Sequence, residues 1–172
     1  MDNKLHIFSA GVARKLVEAG IQEWNASHPD LTAELTVDGA VDLIRKCLSG
    51  APCDLLISAD DKIIESMMLP KHARGYIVFA GNRIVATANP GYNIHTEIWK
   101  ETLLAEEYSN VSFAVDETQT VTSTPICHAL TIPVTATHPE AAREFAKRFL
   151  QTDFAKHGFI ERQQIVGESV LD

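Results

Sequence analysis

In the N-terminal part of the chain, short apolar runs alternate with stripes of helical period. Leu5-His-Ile-Phe-Ser-Ala10 is a β-type run, and directly after it Ala13, Leu16, Val17, Ile21 and Trp24 recur on one face of a helix. Asn25-Ala-Ser-His-Pro-Asp30 stops that helix, since Pro29 cannot continue it. Leu31, Ala33, Leu35 and Val37 then alternate with Thr32, Glu34 and Thr36, the pattern of a half-buried strand. A second helix starts at Asp38-Gly39-Ala40, turns Val41, Ile44, Cys47 and Leu48 inward, and stops at Gly50-Ala-Pro52. Cys53-Asp-Leu-Leu-Ile-Ser-Ala59 is a third strand. Asp60 or Asp61 caps the short helix after it, which points Ile63, Ile64, Met67 and Met68 inward. The order βαβαβα predicts a parallel sheet with right-handed crossovers.

Beyond Pro70 the period changes. Tyr76 to Ala88 is a long β-type run interrupted at Gly81-Asn82, which predicts two strands around a bend or one bulged strand, closed by Asn89-Pro-Gly91. Ile98, Leu103 and Leu104 predict a short helix over 97–105. Val111 to Val115 and Ile126 to Val134 are two further strands, with the polar stretch Asp116 to Thr124 between them as an exposed hairpin loop or a linker. Thr137-His-Pro-Glu140 has the spacing of a capping box with Thr137 at the N-cap, and its helix buries Ala141, Phe145, Ala146, Phe149 and Leu150. The mixed tail from Phe154 to Asp172 is expected to pack only in part.

With 172 residues, 45% of them hydrophobic and 22% charged, the chain is long enough for one domain that buries about 70% of its unfolded surface. The formal charge of -8 and the lack of a basic stripe argue against a nucleic-acid partner. No run approaches the ~18 consecutive apolar residues of a membrane span. Met1-Asp-Asn-Lys has no basic region followed by an apolar one, so an export signal is not expected in this stretch. The three cysteines, Cys47, Cys53 and Cys127, lack C-x-x-C spacing and sit beside apolar residues. They are expected as buried thiols, with a Cys47–Cys53 bridge the alternative in an exported chain.

The candidate chemistry lies where strands turn into helices. Ser9-Ala10-Gly11-Val12 joins the first strand to the first helix with small residues, leaving the free N–H groups of a helix N-terminus facing a cleft, which suits an anion. Gly39-Ala40-Val41 repeats the arrangement at the second helix. Ser58-Ala59-Asp60-Asp61 closes the third strand at the end where α/β sheets hold ligands, although Asp60 doubles as a helix cap. Cys127 and His128 are neighbours on a strand and point to opposite faces, so no metal site is expected there. Neither G-x-S-x-G nor a phosphate-cradling G-x-x-x-x-G-K-[ST] occurs, and a non-enzymatic role without a cofactor is expected.

Several blocks together carry a family resemblance: Leu5-His-Ile-Phe-Ser-Ala-Gly11, Asp38-Gly-Ala-Val-Asp-Leu-Ile-Arg-Lys46, Asp54-Leu-Leu-Ile-Ser-Ala-Asp60, Tyr76-x-x-Phe-Ala-x-Asn-Arg-Ile-Val85 and Pro125-Ile-x-x-x-Leu-Thr-Ile-Pro133. In this order they resemble the periplasmic molybdate- and tungstate-binding proteins of ABC transporters. The resemblance implies an α/β chain with one lobe of a type II periplasmic-binding-protein fold, its sheet mainly parallel, flanked by helices and crossed by an antiparallel strand. Residues 1–90 and 125–155 resemble lobe 1 of a single domain spanning 1–172, and 91–124 a remnant or short replacement of lobe 2. The implied ligand is a small oxyanion, held by Ser9, Ala10, Gly11, Val12, Gly39, Ala40, Val41, Ser58 and Asp60. An ABC permease is the implied partner, and a periplasmic or extracellular location follows, with a cytoplasmic one as the alternative.

Two departures accompany the resemblance. Val12 and Ala40 stand where the family places serines, which removes two hydroxyl donors worth about 1.5–3 kcal/mol each, or roughly 10²- to 10⁴-fold in affinity. The few residues Ala105-Glu-Glu-Tyr-Ser-Asn110 stand where relatives carry most of a second lobe. Two readings follow: weak or altered oxyanion capture, or an interaction module that has lost its ligand. In both a homodimer is expected to cover the bared surface.

Overall fold

The computed structural model describes residues 3–82, 112–114, 120–122 and 126–172. Along the chain come β1 (Lys4–Ala10), a 3-10 turn (Gly11–Ala13), α1 (Arg14–Ser27), β2 (Thr32–Asp38), α2 (Ala40–Leu48), β3 (Leu55–Ser58), α3 (Asp61–Met68) and β4 (Gly75–Gly81). They are followed by β5 (Ser112–Ala114), β6 (Thr120–Thr122), β7 (Cys127–Thr131), α4 (Pro139–Phe149), a second 3-10 turn (Phe154–His157) and β8 (Ile160–Gly167). The strand expected over 83–88, the helix expected over 97–105, and Arg83 lie outside the described residues.

One mixed sheet of six strands runs in the order β2-β1-β3-β7-β4-β8. β1 pairs parallel with β2 and β3, whereas β7 runs antiparallel to both β3 and β4, and β8 antiparallel to β4. Four strands therefore share one direction, as the βαβαβα order requires, and two run against it.

Alternation along the strands divides the core between the two faces. Leu5, Ile7, Leu55, Ile57, Ile77 and Leu130 meet Val17 and Trp24 of α1 and Phe145 and Phe149 of α4 on one face. Phe8, Leu56, Tyr76, Val78 and Ala129 meet Leu43 and Ile44 of α2 and Ile64 and Met68 of α3 on the other. The register between β4 and both its neighbours shifts between Val78 and Ala80, a bulge that puts Phe79 and Ala80 on the α1/α4 face together. Trp24 is fully buried and anchors the end of α1 to the start of β2, its Nε1 donating to the Leu31 carbonyl at 2.8 Å.

Three local expectations are corrected. In α2 the buried residues are Leu43, Ile44 and Cys47, while Val41 is half-buried and Leu48 exposed, because the stripe sits on Leu43 rather than on either end. Thr137 does not cap α4. The N-cap is His138 with no side-chain cap bond of its own, and Thr137 instead turns toward Asp54. Within the stretch 116–124, Thr120–Thr122 pairs antiparallel with Ser112–Ala114, where three consecutive β-branched residues favour a strand over a loop. The tail packs in part, as expected: Phe154 and Val170 are buried, most of its other residues are exposed, and β8 forms the sheet edge.

Gly75 and Gly167 permit that edge. A Cβ on Gly75 would collide with the Glu168 carbonyl oxygen and lie 2.6 Å from that of Val166, and Gly167 sits at φ 78° against the Arg74 carbonyl. At the far end of β4, Asn82 N–H donates to the Ile126 carbonyl at 3.2 Å, so the chain leaves β4 and enters β7 side by side.

Candidate functional site

Because β1, β2, β3 and β4 run together, their C-terminal ends share one end of the sheet, where β7 and β8 begin. From β1 the chain passes to β2 through α1 on one face. From β2 it returns past β1 to β3 through α2 on the other. The loops leaving β1 and β3 thus part at a topological switch point, the crevice in which open α/β sheets hold ligands.

The predicted residues all lie at this end, in three turns. Ser9 and Ala10 are buried, and the Ser9 hydroxyl donates to the Ala10 carbonyl at 3.1 Å. Gly11 and Val12 form the exposed 3-10 turn, with Val12 52% exposed. Gly39 is the N-cap of α2, and Ala40 and Val41 are half-buried in its first turn on the opposite face. The Ser58 hydroxyl donates to the Asp60 carbonyl at 2.8 Å and accepts the Asp60 N–H at 3.0 Å, so it is already engaged.

The four helix N-termini among the described residues divide into two kinds. Asp60 Oδ1 accepts the Lys62 N–H at 2.9 Å and closes α3. Asp54 Oδ1 accepts the His138 N–H at 2.8 Å and closes α4. At α2 the N-cap N–H, that of Gly39, is likewise taken by a carboxylate, Asp38 Oδ1 at 2.8 Å, and the turn leading into α1 carries no side-chain cap. Neither Gly11 nor Gly39 has positive φ, and a Cβ at Gly11 would meet nothing within 4 Å. Neither backbone conformation nor packing demands glycine there.

Charge at this end is mixed. Asp38 borders the start of α2, but its hydrogen bond from the Lys46 ammonium at 2.6 Å and a second from the Gly39 N–H hold its carboxyl below the usual range. Asp61 is pushed up by burial. The positive ends of α1 and α2 and the exposed Lys15 offset these carboxylates.

A cleft of about 420 Å³ opens on the α1 side. Gly11, Val12, Lys15 and Leu16 form one wall, and Asn82 with the 157–159 turn forms the other. It gathers Gly11 and Val12 from the predicted set, but not the α2 or β3 residues. His157 and Phe159 escaped sequence reasoning, since they come from the tail; the one local signal was Gly158, which takes φ 83° to end the second 3-10 turn.

Cys127 and His128 do point to opposite faces. Among the described residues no three His, Cys, Asp or Glu side chains gather as a metal site, and Cys47, Cys53 and Cys127 are free thiols, the first two buried.

The sequence profile of bacterial extracellular solute-binding proteins matches residues 5–124. An uncharacterized solute-binding protein of Methanoculleus marisnigri is 35% identical over 105 residues, which cover 58% of this chain and 30% of that protein, so the chain spans under a third of the relative's length. The periplasmic molybdate-binding protein of Azotobacter vinelandii superposes with a TM-score of 0.57 at 13% identity, covering 92% of this chain and 100% of that one. The sulfate-binding protein of Mycobacterium tuberculosis gives 0.51 at 16% identity, covering 91% and 86%. At such identities the likeness is one of fold.

Proposed function

The chain belongs to the bacterial extracellular solute-binding protein family, and from that premise we propose that it captures a small oxyanion at the switch-point end of its sheet. The carrying observation is the contrast among helix N-termini. Those of α2, α3 and α4 meet the chain's own carboxylates, Asp38, Asp60 and Asp54, while the turn leading into α1 stays uncapped beside Gly11, where neither backbone conformation nor packing demands glycine. Orphan N–H donors at the positive end of a helix suit an oxyanion from solution as well as one from a side chain.

On this reading Gly11 and Val12, with Ala40 and Val41, offer backbone donors, and Gly39, whose N–H is taken by Asp38, shapes the start of α2. Ser9, Ala10, Ser58 and Asp60 shape the turns behind them. A tetrahedral molybdate- or tungstate-like anion is the ligand, bound more weakly than by two added serine hydroxyls. Delivery is to an ABC-type permease outside the cytoplasm, in keeping with the extracellular character of the family. The role is binding, not catalysis.

A second reading, an interaction or homodimerisation module, draws on Val12, whose exposed side chain presents apolar surface at the mouth of the cleft. A thermal-shift panel of molybdate, tungstate, sulfate, phosphate and simple organic anions separates the two. Ligand at 100 times its Kd stabilises by about 2.7 kcal/mol, whereas no shift with any anion rejects oxyanion capture and favours the module.

A further inference from the structure

His128 is fully buried, and both ring nitrogens, Nδ1 and Nε2, are sealed from solvent without a hydrogen-bond partner. Buried polar groups without partners are uncommon because each forfeits the hydrogen bonds it made to water. The ring lies among aromatic side chains, its centroid 5.3 Å from that of Phe159 in an edge-on arrangement and 6.2 Å from that of Phe79. Burial holds the imidazole neutral, with a pKa of about 4, so one nitrogen is a donor and the other an acceptor.

Its place follows from the topology. One wall of the cleft, the first turn of α1, rises from β1, and the other, the 157–159 turn, leads into β8 beside β4. Between β1 and β4 lie β3 and β7. At this end of β7, on the face shared with α1, the outermost residue is His128, two before Leu130 in the α1/α4 core. The imidazole is not itself part of the cleft's lining; Phe159, which is, stands edge-on against the ring and separates it from the cleft.

We propose that His128 is the base of the oxyanion cleft, where its imidazole, uncovered as Phe159 turns aside, donates a hydrogen bond to an anion seated against Gly11 and Val12. This rests on the oxyanion reading above. The cleft lacks a hydroxyl at Val12, and the Ser9 hydroxyl is spent on the Ala10 carbonyl. Among the described residues His128 is the buried side chain beside this cleft whose donor is unspent. The ligand class is a small inorganic oxyanion with room for one ring N–H as well as the backbone donors.

The test uses the whole chain with ¹⁵N-labelled histidine, titrated with sodium molybdate, sodium sulfate and inorganic phosphate, beside the variants His128→Phe and His128→Gln. The expected result is a probe that raises the Tm of the natural chain, shifts the His128 ring nitrogens, and binds His128→Phe about 10-fold or more weakly, with His128→Gln in between. A stabilising probe that leaves the ring signals in place, or binds His128→Phe with unchanged Kd, overturns the role of His128 and leaves the oxyanion reading standing. If none of the three probes stabilises the natural chain, both fall. Should His128→Phe fail to fold, the ring signals of the natural chain decide alone.

Discussion

Asp54 Oδ1 accepts the backbone N–H of His138 at 2.8 Å, so a buried carboxylate at the start of β3 caps a helix that begins 84 residues later. The same oxygen accepts the Thr137 N–H at 2.7 Å and its hydroxyl at 3.0 Å, while Oδ2 accepts the His6 N–H at 2.8 Å. One side chain thereby ties β1, β3 and α4 together. Asp54→Ala strands these donors in the interior and is expected to destabilise the fold by about 3–5 kcal/mol, read as a lower urea midpoint. Glu140→Ala, which removes the other half of the expected capping box, is expected to cost under about 0.5 kcal/mol. Equal losses for the two variants would reinstate the box.

His128 gives stability a defined pH dependence. Its folded pKa, about 4, lies below the ordinary 6.5, so as pH falls the unfolded chain takes up the proton first. The penalty is absent above about pH 7, grows below pH 6.5 and is complete near pH 4, at on the order of 3 kcal/mol. Calorimetry of His128→Phe against the natural chain should show a difference that widens across this window. A constant difference from pH 7 to pH 4 refutes it.

Val12 sits on an exposed turn, so Val12→Ser is expected to change stability by under about 0.5 kcal/mol. The new hydroxyl is expected to tighten molybdate binding by roughly 10-fold or more. Gly11→Ala meets no steric obstacle and is expected to stabilise the fold by about 0.5 kcal/mol while weakening the same binding. Isothermal titration of both variants checks the pair, and opposite signs from those stated count against the α1 turn as the site.

Gly75→Ala forces a Cβ into the backbone of β8. The expected cost is about 2–3 kcal/mol, and hydrogen exchange should speed up in β8 and β4 while β1 and β2 keep their protection. Uniform loss of protection would mean that β8 is not a separable edge.

The first three strands and the first three helices were legible because their signals are local. Leu5 and Ile7 against Phe8 sort a two-sided strand, and Asp60 closes α3 from two residues away. β8 was not legible: Glu161, Arg162, Gln163, Gln164 and Ile165 are all exposed, so an edge strand with little buried on either face shows no period of two. The α4 cap failed for the opposite reason. Thr137 and Glu140 satisfy the local rule, but Asp54, distant in sequence, offers a better acceptor. Of the site, the glycine turns were readable, whereas Asn82, Phe159 and the orphaned His128 become neighbours only once β4, β7 and the tail are in place.

The bond from Asn82 to the Ile126 carbonyl makes β4 and β7 a hairpin held at its open end. Whatever lies between these two residues is attached through a closed doorway, and the doorway stands at the cleft. As a scaffold, the sheet is indifferent to the length of the graft: a short turn joining Asn82 to Ile126 would leave every ladder of the six-stranded sheet intact. The residues that keep the six-stranded sheet together thus lie outside that connection.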